Sequence, residues 1–390
     1  MEKIKNSVGF TVFLAAVLVI AIYFSLNPLN FNDINFSPEV TIHENERTDT
    51  LFVLAYPNYF TESVMEEFQK RENVIVHIDH FKNNEELLDT LLSGKIYDIV
   101  VPTDYMVAHL KMLNLIEPIR KNLIPNYRNL DIRFREMEYD YGNAYSIPYF
   151  WGAVGLSYDQ NHVMNLPLTW SSLLDTTQVA HLRNKISILS DARMSLGIVL
   201  IAMGLDPNTT DETEISRAAD ILIHLSPFIG LIQSEELHDP LLDGDIYIAM
   251  NWSGSSAAIA DVNKDFRFIL PAEGSIFFVD NLAVPVNASA KTLSYKFIDY
   301  LLEDKVAAQL TNSNFFPNPI TESRKYVERI ILKGPSYINP FLSSNVHVIE
   351  DLGEVDSIYF REWRRFLAHS NQVKRDSTQT QKERGKIVLY

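Results

Sequence analysis

From residue 49 onward, short apolar runs alternate with stretches whose apolar residues recur at helical spacing, and this alternation limits the chain to an α/β fold. Residues 50–55 (TLFVLA) form an apolar run suited to a buried strand. Residues 62–71 follow, with Val64, Met65 and Phe68 on one helical face. Residues 74–78 alternate as a strand. Residues 84–93 then gather Leu87, Leu88, Leu91 and Leu92 on one face, and 97–101 (YDIVV) make a third strand closed by Pro102. A βαβαβ start predicts a parallel sheet with covering helices.

The pattern returns downstream. Strands are expected at 185–189, 246–251 and 277–284, and helices at 195–203, around 220–225, at 293–302 and at 305–312. This is more material than one sheet of ordinary size holds, so two α/β lobes are expected. No internal repeat of fixed period appears.

The first residues, MEKIKNS, carry Lys3 and Lys5, and residues 8–26 follow without a charge. Nineteen residues of helix span about 28 Å, close to the thickness of a membrane's hydrocarbon core. The positive flank keeps the N-terminus in the cytoplasm and sends everything after Leu26 outside. Residues 1–26 are thus either an uncleaved anchor or a signal segment; the end of the run, Ala21 to Leu26, lacks a clear small-x-small cleavage site. Residues 27–48 are polar, with Pro28 and Pro38, and read as a linker. Residues 371–390 read as a loosely ordered polar tail carrying Lys374, Arg375, Lys382, Arg384 and Lys386.

Composition excludes several chemistries. There is no cysteine, hence no disulfide, thiolate metal site or cysteine nucleophile. The net charge of −16 opposes nucleic acid and attracts cations. Phosphate-binding glycine loops, the nucleophile elbow and the paired-histidine zinc motif are all missing from the sequence. His77 and His80 lie close together but without a metal-ligand context. No catalytic residue, metal or cofactor is expected.

What does recur is a type of loop. Tyr56-Pro57-Asn58-Tyr59, Thr103-Asp104-Tyr105, Ser190-Asp191-Ala192-Arg193 and Trp252 each follow a strand, and Phe277-Phe278-Val279-Asp280 runs along one. Ligands of open α/β sheets bind beyond the carboxyl ends of strands. Ring faces attract an ammonium by about 0.5–2 kcal/mol, and carboxylates take charge-assisted hydrogen bonds. The loops therefore suit an organic cation. Each aromatic also has a reading as core and each aspartate as a helix cap, Asp191 above all.

At this point the chain resembles the periplasmic spermidine/putrescine-binding proteins of the bacterial solute-binding superfamily, from about Leu51 to Ala368. The resemblance rests on Tyr97-Asp98-Ile99-Val100-Val101-Pro102, Tyr145-Ser146-Ile147-Pro148-Tyr149-Phe150-Trp151-Gly152, Ser190-Asp191-Ala192-Arg193 and Glu273-Gly274-Ser275-Ile276-Phe277-Phe278-Val279-Asp280. It implies a two-lobed solute-binding fold of type II, with the ligand cleft between the lobes and the membrane segment ahead of it. Lobe 1 would comprise 49–150 and 279–320, and lobe 2 151–278 and 321–370. Crossings are expected near 149–151 and 278–280, with a return to lobe 2 after about Pro319.

The same resemblance implies a non-catalytic receptor, a monomer outside the cytoplasmic membrane, delivering a polyamine to an ABC-type permease driven by a cytoplasmic ATPase. Asp280 and Asp191 match amine-binding carboxylates, and Trp252 a tryptophan along the polyamine chain. Tyr59 and Tyr105 match wall tyrosines, Thr103 a hydroxyl position and Ser234 a serine contact. Tyr56 and Phe278 replace tryptophans. Asp104 is an extra carboxylate at the mouth. Met194, Phe316 and Ile349 stand where spermidine-preferring members carry glutamate, tyrosine and glutamine, which implies an altered preference, toward a shorter diamine or another cation. Other readings are a sensory domain, which would want a fused output domain, a ferric- or anion-binding relative, which would want a metal cluster or basic residues, and an enzyme, for which no nucleophile–base set is visible.

Overall fold

The computed structural model describes residues 50–337 and 345–387, with side chains described as far as residue 373. The residues expected as a membrane segment, 8–26, and as a linker, 27–48, lie outside the described residues. Among those described, no helix is long and apolar enough to cross a membrane. They all fall in one compact unit that begins at Arg47.

The expected βαβαβ start is present. Strand β1 (Thr50–Ala55), helix α1 (Glu62–Glu72), β2 (Ile75–His80), α2 (Asn84–Leu92) and β3 (Ile99–Val100) follow in order, and β1 pairs in parallel with both β2 and β3. Helix α1 starts where Thr61 accepts a hydrogen bond from the Val64 amide and stops at Asn73, whose positive φ ends the helical path. It buries Val64, Met65 and Phe68, the face read from sequence. Helix α3 (Asp104–Met112) leaves the end of β3.

Strand β4 (Ser146–Asp159) then runs for 14 residues and is buried nearly throughout. It was recognised from sequence only at its crossing point. Its continuous apolar run lacks the alternation that marks a half-exposed strand. After it come β5 (Ile186–Ile188), α4 (Ala192–Ala202), α5 (Glu212–Leu225), β6 (Ile229–Ile232), β7 (Ile248–Trp252), α6 (Ser253–Val262), β8 (Phe266–Ile269) and β9 (Ser275–Ala283). Helices α7 (Lys291–Leu301) and α8 (Asp304–Asn314), strand β10 (Val346–Val348) and helix α9 (Asp356–Ile387) complete the order. Residues 371–387, read as a loose tail, continue the last helix in the backbone.

The strands join in the order β2-β1-β3-β9-β4-β7-β5-β6, with β10 beside β9 and β8 beside β4. Strand β4 changes partners along its length. Residues 146–153 pair with β9, and 154–159 pair with β7 and β8. The register slips between Pro148 and Phe150, where proline has no N–H to give the ladder. The residues expected as crossings therefore lie side by side, with Phe150 opposite Asp280 and Trp151 opposite Val279.

The last helix is held to the body by a buried cation. Arg193, fully buried, forms an ion pair with Asp356, reaches Asn208 at 3.0 Å and stacks 4.3 Å from the Tyr359 ring. Two glycines admit rings to the region where the strands end. A Cβ on Gly152 would lie 2.7 Å from the Phe278 ring, and one on Gly254 would lie 2.6 Å from Phe316. Gly254 is inside α6, where helix propensity alone favours alanine by about 1 kcal/mol. The ring contact reverses that sign: Gly254→Ala should destabilise the protein by about 1–3 kcal/mol, measured by urea unfolding, and a neutral or stabilising result would refute the packing role assigned to this glycine.

Candidate functional site

Strand ends and helix starts converge on one point. Thr103 precedes α3, Asp191 precedes α4 and Trp252 precedes α6, each in extended backbone as a helix begins. The turn after β1 supplies Tyr56 and Tyr59, β9 supplies Phe278 and Asp280, and the turn after α8 supplies Phe316. These residues, with Met194, line a cavity of about 330 Å³.

Asp280 is 1% exposed. One carboxylate oxygen accepts the Tyr59 hydroxyl at 2.5 Å, and the other has no hydrogen-bond partner. Burial raises its carboxyl well above the usual range, and the charges of Asp104 and Glu235 push the same way, while the Tyr59 bond opposes them. A buried acceptor without a donor is costly unless something is meant to meet it.

Asp191 holds both of the roles left open by its sequence. One of its oxygens accepts the Met194 amide at 2.8 Å, capping α4, and it also lines the cavity. Burial raises its carboxyl; the Met194 amide, Arg193 and a hydrogen bond from Asn84 hold it down. Asn84 donates to the Thr103 hydroxyl as well, at 2.8 Å.

The rings form a continuous wall. Tyr56 lies 5.4 Å from Tyr59, Tyr59 lies 5.9 Å from Phe316, Phe316 lies 6.3 Å from Phe278 and Phe278 lies 5.0 Å from Trp252. The last two pairs are edge-on, the arrangement ring quadrupoles favour. The Trp252 indole donates to the Ser234 carbonyl at 3.0 Å, which fixes its plane.

Three expected contacts lie elsewhere. Asp104 is not at the mouth but 2% exposed. It accepts the Tyr105 amide at 2.8 Å and the Val279 amide at 3.1 Å, tying α3 to β9, and burial pushes it up to about 7. Tyr105 turns to a neighbouring cavity of about 710 Å³ between α2, α3 and α9. Ser234 supports rather than lines: its hydroxyl accepts the Ser190 amide at 2.9 Å, holding the Asp191 turn.

Among the lining residues that sequence reasoning missed is the acid Glu235. It follows β6 as the other site residues follow their strands. That strand is only four residues with Gly230 inside, so its end was not visible as a loop of the same kind. Burial pushes Glu235 up to about 8, helped by Glu236 and opposed by Trp252.

Among the described residues His109, Asp351 and Asp356 bring ligand atoms within 4.8 Å of one another. His109 is bonded to Asp351 at 3.1 Å and Asp356 to Arg193, so these donors are already engaged. His77 pairs with Asp79 at the surface. The main cavity is different in kind: carboxylates and ring faces converge, with no lysine or arginine among its described lining residues. That set holds a cation with an apolar body.

The same acids dictate how stability depends on pH. Glu235 and Glu85 sit near 8 and Asp104 near 7 in the folded protein, above the ordinary carboxyl range of about 4. The folded state thus binds more protons than the unfolded one across that window, so stability is highest below it and falls as pH rises through it. The melting temperature of the ligand-free protein should be lower at pH 8 than at pH 5.5, and Glu235→Gln should remove part of the drop. A melting temperature that rises over this interval would contradict these proton affinities.

Comparison with known proteins gives the site a family. The family model described as bacterial extracellular solute-binding protein matches residues 94–330. The spermidine/putrescine-binding periplasmic protein of Escherichia coli is 28% identical over 324 residues, covering 82% of this chain and 92% of that protein. A putrescine-binding periplasmic protein of the same organism is 27% identical, over 75% of this chain and 83% of its own length. Among solved structures, a Listeria monocytogenes protein described as a candidate spermidine/putrescine ABC transporter superposes with a TM-score of 0.78 at 27% identity, covering 82% of this chain and 98% of that one. A matched segment running from the residues before β3 to beyond α8 takes in most of the lining residues, and the chain belongs to the bacterial extracellular solute-binding protein family.

Proposed function

We propose that this chain is the extracytoplasmic substrate-binding component of an ABC-type polyamine importer. It captures putrescine or spermidine in the acidic, aromatic cavity and delivers it to a permease. The observation that carries this reading is Asp280: a deeply buried carboxylate with one oxygen unpaired, in a cavity walled by Tyr56, Tyr59, Trp252, Phe278 and Phe316. An ammonium supplies the missing donor, and methylenes lie against the rings. Asp191 takes a second charge. The names of the relatives support the same ligand class and partner.

In this reading the body divides into lobe 1 (49–150 and 279–320) and lobe 2 (151–278 and 321–370), hinged where β4 and β9 cross and closing on the ligand. Residues 8–26 place the receptor at the outer face of the cytoplasmic membrane as a monomer. Met194 and Phe316 put a thioether and a plain ring against the cavity. Neither offers an ammonium a carboxylate or hydroxyl acceptor, which favours a diamine over a longer, more highly charged chain.

Calorimetric titration with putrescine, cadaverine, spermidine and spermine tests the proposal. One-to-one binding is expected, with putrescine or cadaverine preferred. Asp280→Ala should weaken it by about 10–100-fold, the worth of one hydrogen bond to a charged group. Absence of heat with all four polyamines, from folded protein freed of carried-over ligand, would sink the reading.

A further inference from the structure

Glu235 shares the cavity with Asp280 and Asp191 yet belongs to none of the motifs that carry the family resemblance. Its surroundings come from four directions. Trp252, at the end of β7, lines the same cavity, with its indole N–H given to the carbonyl of Ser234, the residue before Glu235. Tyr56 and Tyr59, from the turn after β1, and Asp280, on β9, all feel its charge. Glu236 lies beside it, and His238 is drawn to Asp239 at 3.0 Å. No lysine or arginine lies among the described lining residues. Glu235, Asp280 and Asp191 thus share this lining with Glu236, four carboxylates with no lysine or arginine among them, and repulsion within the set opposes its full ionisation.

We propose that Glu235 is a third ligand-contacting carboxylate of this cavity, and that an incoming ammonium takes the place of a proton on it. The inference rests on the polyamine reading of the same site. The step balances simply: the carboxylic acid gives its proton to solvent, the carboxylate remains, and the ammonium, already charged, becomes its partner. Capture is therefore coupled to proton release, and affinity rises with pH until Glu235 is ionised in the empty protein. The elevated proton affinity of Glu235, near 8, places that rise in the neutral range.

The test is calorimetry of the full chain with putrescine at pH 7, in phosphate and in Tris, whose ionisation heats differ. Wild type should release protons on binding, and its Kd should fall from pH 6 to pH 8. Glu235→Gln should release about one proton fewer, flatten the pH dependence and bind about tenfold more weakly at pH 8. Glu235→Asp, which keeps the charge, should restore the proton count. A Glu235→Gln protein with wild-type Kd and wild-type proton release would overturn the proposal while leaving the polyamine reading intact. A wild type silent to putrescine and spermidine would overturn both. Independently of any variant, Trp252 fluorescence in the ligand-free wild type should show a step near pH 8; its absence also overturns the proposal.

Discussion

The antiparallel ladder between β4 and β9 is the contact on which the site depends. It sets Phe150 opposite Asp280 and Gly152 opposite Phe278, so the acid and the ring are placed by backbone hydrogen bonds rather than by a loop. Side chains alternate along a strand, and a slip of one residue would turn Asp280 to the opposite face. The register is pinned from both sides. Pro148 marks the irregularity on β4, and the end of β3 reaches across, with Thr103 bridged to Asp280 and the Asn281 amide bonded to the Pro102 carbonyl at 2.8 Å. Asp104 adds a carboxylate bond to the Val279 amide. The element that carries the acid is held by three neighbours before any ligand arrives.

The electrostatics of the cavity run against the grain of the fold. Three helices, α3, α4 and α6, begin at its edge, and helix N-termini favour anions. A cation site there must overcome that bias, and the structure does so with buried acids. Asp191 absorbs part of the α4 terminus by capping it. Asp280 keeps one oxygen without a donor, and the half-buried Glu235 lines the same cavity. Such a cavity is unfavourable when empty, and this is the usual sign of a site built for its complement rather than for stability.

Supporting residues divide the work with contacting ones. Ser234 holds both the Asp191 turn and the Trp252 indole, and Asn84 holds Thr103. Tyr149 donates to the Tyr59 carbonyl at 3.1 Å and stands within ring contact of the same residue. Residues of this kind look like site residues in sequence because they sit beside them, and only their hydrogen bonds tell the two apart.

Much of the fold was legible because it follows from local periodicity. The helices with one apolar face and the short strands of the first βαβαβ unit lie where their patterns place them, since burial of one face is a property of the segment itself. The loops after strands were legible for the same reason, and Asp191, Trp252, Tyr56, Tyr59 and Thr103 line one cavity with Phe278 and Asp280 of β9; Phe316, which follows a helix, was named only through the family resemblance. What the tertiary structure alone decided was direction and company. Asp104 is one residue from Thr103 but points to a β9 amide, because successive positions at a helix start face different ways. Tyr105 faces another cavity, and Glu235 joins the acids from a strand too short to announce itself. The full span of β4, buried on every side, carries no period to read. A chain's own pattern determines which segments must be buried; which of two adjacent side chains meets the ligand depends on the distant strand packed against them.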